Sequence, residues 1–101
     1  MKLYIDTSDS EKVTIKLDKK TFETSSYEEK SQKLLPFIVE TLKKEGKEMR
    51  DIKEIKVNTG PGSFTGLRVG VSVANALGWA LQIPVNGKDI QEGESVDIVY
   101  N

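Results

Sequence analysis

Polar and apolar residues alternate at the start of the chain and then change period. Leu3-Tyr4-Ile5 is a short apolar run closed by the turn formers Asp6-Thr7-Ser8-Asp9-Ser10. Val13, Ile15 and Leu17 alternate with Thr14 and Lys16, which predicts a strand buried on one face. Asp18-Lys19 makes a two-residue turn into residues 20–25, where Phe22 and Thr24 continue the alternation. Three consecutive antiparallel strands follow from this pattern. Between residues 28 and 45 the period becomes helical: Leu34, Leu35, Ile38, Val39 and Leu42 recur three and four apart, and Gly46 supplies the stop. Pro36 lies inside the stripe, so the helix either begins near Gln32, with Pro36 in its first turn, or kinks mildly there. Residues 54–58 read as a strand running into Thr59-Gly60-Pro61-Gly62-Ser63, residues 64–81 as a second long helix, and Ile83-Pro84-Val85 as a short strand. Residues 89–101 form a polar turn ending in Val96-Asp97-Ile98-Val99-Tyr100, a candidate edge strand. The order β-β-β-α-β-α-β predicts one α/β domain whose last strands, joined by crossovers, are parallel.

The second helix is apolar over too much of its circumference. At 3.6 residues per turn, Thr65, Arg68, Ser72, Asn75 and Trp79 share one narrow wedge, and everything else is apolar or glycine. A surface helix needs an apolar stripe of about 100°, and this arc is roughly twice that. Gly66, Gly70, Ala74 and Gly78 stand four apart within it, a ridge of small residues that another backbone can approach closely. Two readings account for the arc. The chain's own sheet and first helix cover it, or part of it, with Phe37 at the margin of the first helix, meets another protein chain. Trp79 is expected as a half-buried anchor rather than a stacking platform. The uncharged segment 69–87 is long enough to cross a bilayer, but Ser72, Asn75, Gln82, Pro84 and Asn86 interrupt it, so it reads as a buried helix followed by a buried strand.

Composition narrows the chemistry. In 101 residues, 15 Lys and Arg balance 16 Asp and Glu, a net charge of −1 that does not favour bulk electrostatic grip on nucleic acid or an anionic membrane. Lys30, Lys33, Lys43, Lys44 and Lys47 are interleaved with glutamates and read as a solvated face. Neither cysteine nor histidine is present, which removes thiolate chemistry, the commonest general base and the usual transition-metal ligands. A cysteine-free chain opening Met1-Lys2-Leu3 without a long apolar run predicts a cytoplasmic protein.

Candidate chemistry lies in two turns. Gly60-Pro61-Gly62-Ser63-Phe64-Thr65-Gly66 joins a strand to a helix, where backbone N–H groups either hold an anion or simply turn the chain. It has neither the Lys-Ser/Thr pair of a Walker motif nor the dinucleotide glycine spacing. Asp6-Thr7-Ser8 either holds a metal-bound phosphate or caps a turn. Candidate phosphate-binding residues are thus Asp6, Thr7, Ser8, Gly60, Gly62 and Ser63. No catalytic residue and no metal set are assigned.

Ile5-Asp6-Thr7-Ser8, Leu34-Leu35-Pro36, the stretch from Gly60 to Gly70 and Ile83-Pro84-Val85 occur in an order and spacing that resemble the bacterial tRNA threonylcarbamoyladenosine (t6A) biosynthesis proteins TsaB, or YeaZ. The resemblance covers residues 2–89, which are expected to form one lobe, with 90–101 as a tail. It implies an actin/Hsp70/sugar-kinase (ribonuclease H-like) lobe: a mixed five-stranded sheet in the order 3-2-1-4-5, with two long helices on its faces. It also implies a non-catalytic subunit that needs no cofactor of its own and docks on a TsaD-like transferase through those helices. A TsaE-like ATPase would share the complex, tRNA contact would be indirect, and a homodimer would form when the chain is alone. The contact would draw on Leu34, Phe37, Ile38 and Thr41 of the first helix and Gly66, Val69, Gly70, Val73, Ala74 and Leu77 of the second. Family members usually carry a second lobe, and Lys30 stands where they often have a histidine. The alternative is a nucleotide- or phosphate-binding half-site enzyme in which Asp6 reaches Mg and the Gly60–Ser63 turn faces the phosphates of ATP. A third reading is a self-associating module that uses the same helices.

Overall fold

The computed structural model describes residues 1–25 and 30–97. β1 (Lys2–Asp6), β2 (Lys12–Leu17) and β3 (Lys20–Ser25) form the antiparallel meander that the alternation predicts. Its second turn is the two residues Asp18-Lys19. Asp18 is left-handed at φ 54° and tied to Lys2, donating its N–H to the Lys2 carbonyl (2.9 Å) and accepting from the Lys2 N–H on Oδ1 (3.0 Å). α1 (Lys30–Lys44) follows, then a 3₁₀ turn (Met49–Asp51), β4 (Glu54–Val57), α2 (Phe64–Leu81) and a second 3₁₀ turn (Ile90–Glu92).

Pro36 sits in the interior of α1 rather than in its first turn, because the helix already begins at Lys30. The stripe keeps its phase across the proline, with Leu34, Ile38 and Leu42 all buried. Residues 28 and 29 of the predicted stripe lie outside the described residues. Gly46 ends α1 at φ +69°. Its N–H bonds the Lys43 carbonyl and the Lys47 N–H bonds that of Leu42, the Schellman pattern that a glycine permits. At the end of α2, Gln82 takes the same left-handed position and Pro84 prevents continuation.

The sheet has four strands in the order β3-β2-β1-β4, with β4 parallel to β1. This corrects the expected five. Ile83-Pro84-Val85 makes only an isolated parallel bridge, Val85 to Ile55. The Pro84 carbonyl accepts from the Ile55 N–H and the Asn86 N–H donates to the Ile55 carbonyl. The next ladder position is then filled by a side chain. Asn86 Oδ1 accepts from the Val57 N–H (2.9 Å) and its Nδ2 donates to the Val57 carbonyl (3.1 Å). The main chain meanwhile reverses at Asn86-Gly87, both at positive φ, so that Val85 pairs with Lys88. The chain turns away one residue after it joins the sheet. Of the candidate last strand, Val96 and Asp97 belong to no strand, and 98–101 lie outside the described residues.

Alternation aims Leu3, Ile5, Val13, Ile15, Leu17, Ile55 and Val57 at one face of the sheet, where they share a core with Leu34, Ile38 and Leu42 of α1 and Leu67, Val71, Ala74 and Leu77 of α2. Both helices therefore lie on that one face, packed beside each other. The opposite face carries Tyr4, Thr14, Lys16, Thr21, Glu23 and Lys56, with Lys16 Nζ 5.5 Å from the Tyr4 ring centre. No helix among the described residues is long and apolar enough to cross a membrane.

Candidate functional site

The two turns singled out in the sequence meet in space. The Ser63 N–H donates to the Ser8 carbonyl (2.8 Å), and Gly62 passes so close that a Cβ there would lie 2.4 Å from Ser8 Cβ. Asp6 is the hub. Its Oδ1 accepts from Ser8 Oγ (2.6 Å), the Ser8 N–H (2.9 Å) and Asn58 Nδ2 (3.2 Å). Asn58, which sequence reasoning missed, also accepts from the Gly60 N–H on Oδ1 (3.0 Å). Thr7 is fully buried, and its hydroxyl donates to the Gly66 carbonyl (2.6 Å). Ser63 caps α2 by accepting from the Gly66 N–H (3.4 Å). Four of the candidate groups, the Thr7 and Ser8 hydroxyls and the N–H groups of Gly60 and Ser63, are thus engaged within the chain. A carboxylate at the centre opposes a bare phosphate, and among the described residues no three His, Cys, Asp or Glu side chains gather to hold a cation. The arrangement turns these groups onto the chain itself. Its chemistry is that of a latch between β1 and the start of α2.

Partial burial pushes the Asp6 carboxyl up, but the bonds from the Ser8 hydroxyl, the Ser8 N–H and Asn58, with the charge of Lys12, outweigh it and hold it below the ordinary aspartate value. Tyr4 is raised, by burial first and then by the Asp6 charge and hydrogen bond. A lowered folded value means that Asp6 contributes stability above the ordinary aspartate value of 3.8, which is lost as pH falls through the lower folded value. Asp6→Asn is therefore expected to be less stable than the unmodified chain at neutral pH. Urea melts should show the gap narrowing as the pH falls below 3.8. A gap independent of pH would mean that the carboxylate charge takes no part in the latch.

The helical face is divided more sharply than the sequence shows. Gly66, Gly70, Ala74 and Gly78 all point into the chain's own body. A Cβ on Gly70 would lie 2.4 Å from Thr7 Oγ1, and one on Gly78 would lie 2.4 Å from Val85 Cγ2. The small-residue ridge therefore serves the close approach of α2 to β1 and to the Val85 bridge. Leu34, Ile38, Thr41 and Leu77 are also buried, and Thr41 donates its hydroxyl to the Phe37 carbonyl (2.7 Å). Of the expected contact residues, Phe37, Val69 and Val73 keep exposed surface. Phe37 lies in a shallow groove with Thr24, on the β3 side of α1.

What the monomer leaves uncovered on α2 is a narrower strip. Val69 and Val73 are half-buried, Ala76 and Ala80 are exposed, and a groove lined by Arg68, Val69, Ser72, Val73 and Ala76 runs along it. Leu35 of α1 is 42% exposed. Ala76, Ala80 and Leu35 were not among the expected contacts, although the same helical projection places the two alanines beside Val69 and Val73. The wedge points outward, so Trp79 is 62% exposed rather than half-buried, and Arg68 lies over the Phe64 ring (5.7 Å).

Comparison with known proteins gives a consistent picture. A family model described as tRNA N6-adenosine threonylcarbamoyltransferase (TsaD) matches residues 24–88. The chain is 36% identical over 59 residues to the tRNA threonylcarbamoyladenosine biosynthesis protein TsaB of Escherichia coli, covering 58% of this chain and 26% of that protein. It is 49% identical over 37 residues to TsaB of Bacillus subtilis, covering 37% and 16%. To the tRNA N6-adenosine threonylcarbamoyltransferase of Nitrosospira multiformis it is 44% identical over 62 residues, covering 61% and 18%. Among solved structures, YeaZ from Pseudomonas aeruginosa superposes with a TM-score of 0.69 at 30% identity, covering 83% of this chain and 40% of that one. The matched parts span 16% to 40% of the length of these relatives.

Proposed function

We propose a function from one premise: the chain belongs to the tRNA N6-adenosine threonylcarbamoyltransferase (TsaD) family and resembles its TsaB/YeaZ members. The function is docking. The chain is a non-catalytic, cytoplasmic subunit of the t6A modification machinery that binds a TsaD-type transferase through α1 and α2, in a complex that also takes a TsaE-type ATPase and touches tRNA only through its partners.

One observation carries this reading. Val69, Val73, Ala76 and Ala80 form an apolar strip on α2 that the sheet and α1 leave partly uncovered. A strip of four small side chains is not by itself a stable interface, which buries more than about 1,000 Å² in total. With exposed Leu35 on the neighbouring helix it supplies the apolar centre around which a polar rim can close. The partner's active arrangement would gain population in proportion to how much more tightly this surface binds it. Two features support a role without chemistry of its own: histidine and cysteine are absent from the sequence, and the Asp6 turn is closed on itself.

The test is size-exclusion chromatography of the purified chain with a TsaD-type subunit at micromolar concentration. Co-elution as one species is expected, and separate elution overturns the proposal. If the chain elutes as a dimer alone and ignores the transferase, the strip serves a second copy instead.

A further inference from the structure

The polar wedge of α2 is not simply a solvated face. Asn75 reaches from it to the main chain of Val96, donating from Nδ2 to the Val96 carbonyl (2.9 Å) and accepting from the Val96 N–H on Oδ1 (3.1 Å). A primary amide has the same donor and acceptor as a peptide group, so this pairing reproduces one step of a strand ladder from the side of a helix. The Val96 side chain is 6% exposed and belongs to the core cluster. Ser95, Val96 and Asp97 line a groove together with Arg68, Val71, Ser72 and Asn75, and Lys88 Nζ reaches the Ser95 carbonyl (3.4 Å).

The segment leading to this contact is exposed over residues 92–95. Ile90, packed where a Cβ on Gly78 would come within 3.1 Å of it, is a buried anchor ahead of Val96. Glu92, Gly93, Glu94 and Ser95 between them are exposed, and Gly93 stands at φ +89° with open space around it. Two anchors joined by an exposed glycine-containing span make a piece that can open without disturbing the sheet.

We propose that the flank of α2 formed by Arg68, Val71, Ser72 and Asn75 is a receptor for an extended main-chain segment bearing one branched apolar side chain. Its occupant is this chain's own Ser95–Asp97, which acts as a strap. Asn75 reads the backbone and the apolar site beneath reads Val96, so neither element needs a longer motif. Closed, the strap covers the Val71–Asn75 edge of α2 and leaves the Val69–Ala80 strip on the other side of the wedge uncovered. The closure stands on this geometry alone. Its consequence, that a partner approaches α2 from one side, rests on the docking reading.

Amide hydrogen exchange on the full chain without any partner separates the two. In the unmodified protein the Val96 N–H is expected to exchange at least tenfold more slowly than an unstructured amide. Exchange at the unstructured rate overturns the strap. Asn75→Ala is expected to remove most of that protection while the amides of Ile5 and Ile15 keep theirs. Asn75→Asp, which retains an acceptor for the Val96 N–H, is expected to fall between the two. Unchanged Val96 protection in Asn75→Ala would assign the closure to other contacts and also overturn the proposal. Failure to bind a transferase changes none of these readings.

Discussion

Ala76→Glu is expected to lower affinity for a TsaD-type subunit at least 30-fold while leaving the melting temperature of the isolated chain almost unchanged. Ala76 is exposed in the monomer, so a carboxylate there stays hydrated and costs the fold little, within about 0.5 kcal/mol. At the centre of an apolar contact the same carboxylate loses its water, a loss of about 2 kcal/mol or more, and about 1.4 kcal/mol corresponds to a factor of ten. Titration calorimetry or co-elution measures it. Thr21→Glu is the control. Thr21 is exposed and pairs with Lys16 on the sheet face away from both helices, so the added charge should leave binding alone. Equal binding by both variants would move the interface off the α2 strip.

Gly70→Ala tests the fold rather than the function, and its expected effect is of similar size. Alanine favours a helix by about 1 kcal/mol over glycine, so local propensity alone predicts a stabilised chain. Packing predicts the opposite. The new Cβ would sit 2.4 Å from Thr7 Oγ1, on a side chain that is β-branched, fully buried and bonded to the Gly66 carbonyl. Relief requires α2 to lift from β1 or Thr7 to give up its bond. Overpacking of this kind costs about 1–3 kcal/mol and a buried orphaned group about 1–3 kcal/mol more. The expected net loss is about 2–3 kcal/mol, or about 10–20 °C in Tm for a domain of this size. Urea and thermal melts read it directly. A Tm at or above that of the unmodified chain would mean that α2 rides less tightly on β1 than these distances show.

Much of the fold was legible because it is written in short-range pattern. A short apolar run marked β1, period-2 alternation defined β2 and β3, Asp18-Lys19 placed the hairpin turn between those two, and Gly46 ended α1. Local rules also cover the Asn86-Gly87 reversal, which the predicted elements omit although Asn-Gly is a strong hairpin signal. That omission made Ile83-Pro84-Val85 look like a short fifth strand rather than a single bridge. Asn86 is informative for a second reason: its side chain, not the backbone, continues the pairing with β4, and no periodicity registers a side chain acting as main chain.

The candidate site divides in the same way. Asp6, Thr7, Ser8 and the glycine turn are visible as residue types suited to phosphate, but their hydrogen bonds run to partners more than fifty positions away or two positions along, and these bonds turn the set into a latch. The breadth of the apolar arc on α2 was equally visible. Which part faces outward was not.

By itself, the sequence determined the kinds and order of the first four strands and the two long helices, the apolar excess on α2 and the want of histidine and cysteine chemistry, since each follows from neighbours within a turn or two. Tertiary structure alone decided that both helices share one sheet face, that the glycine ridge turns inward against Thr7 and Val85, and that Asn75 holds Val96 over one flank. Those outcomes depend on which distant segments come into contact, and a helix's own periodicity reveals how wide its greasy side is without saying what will lie against it.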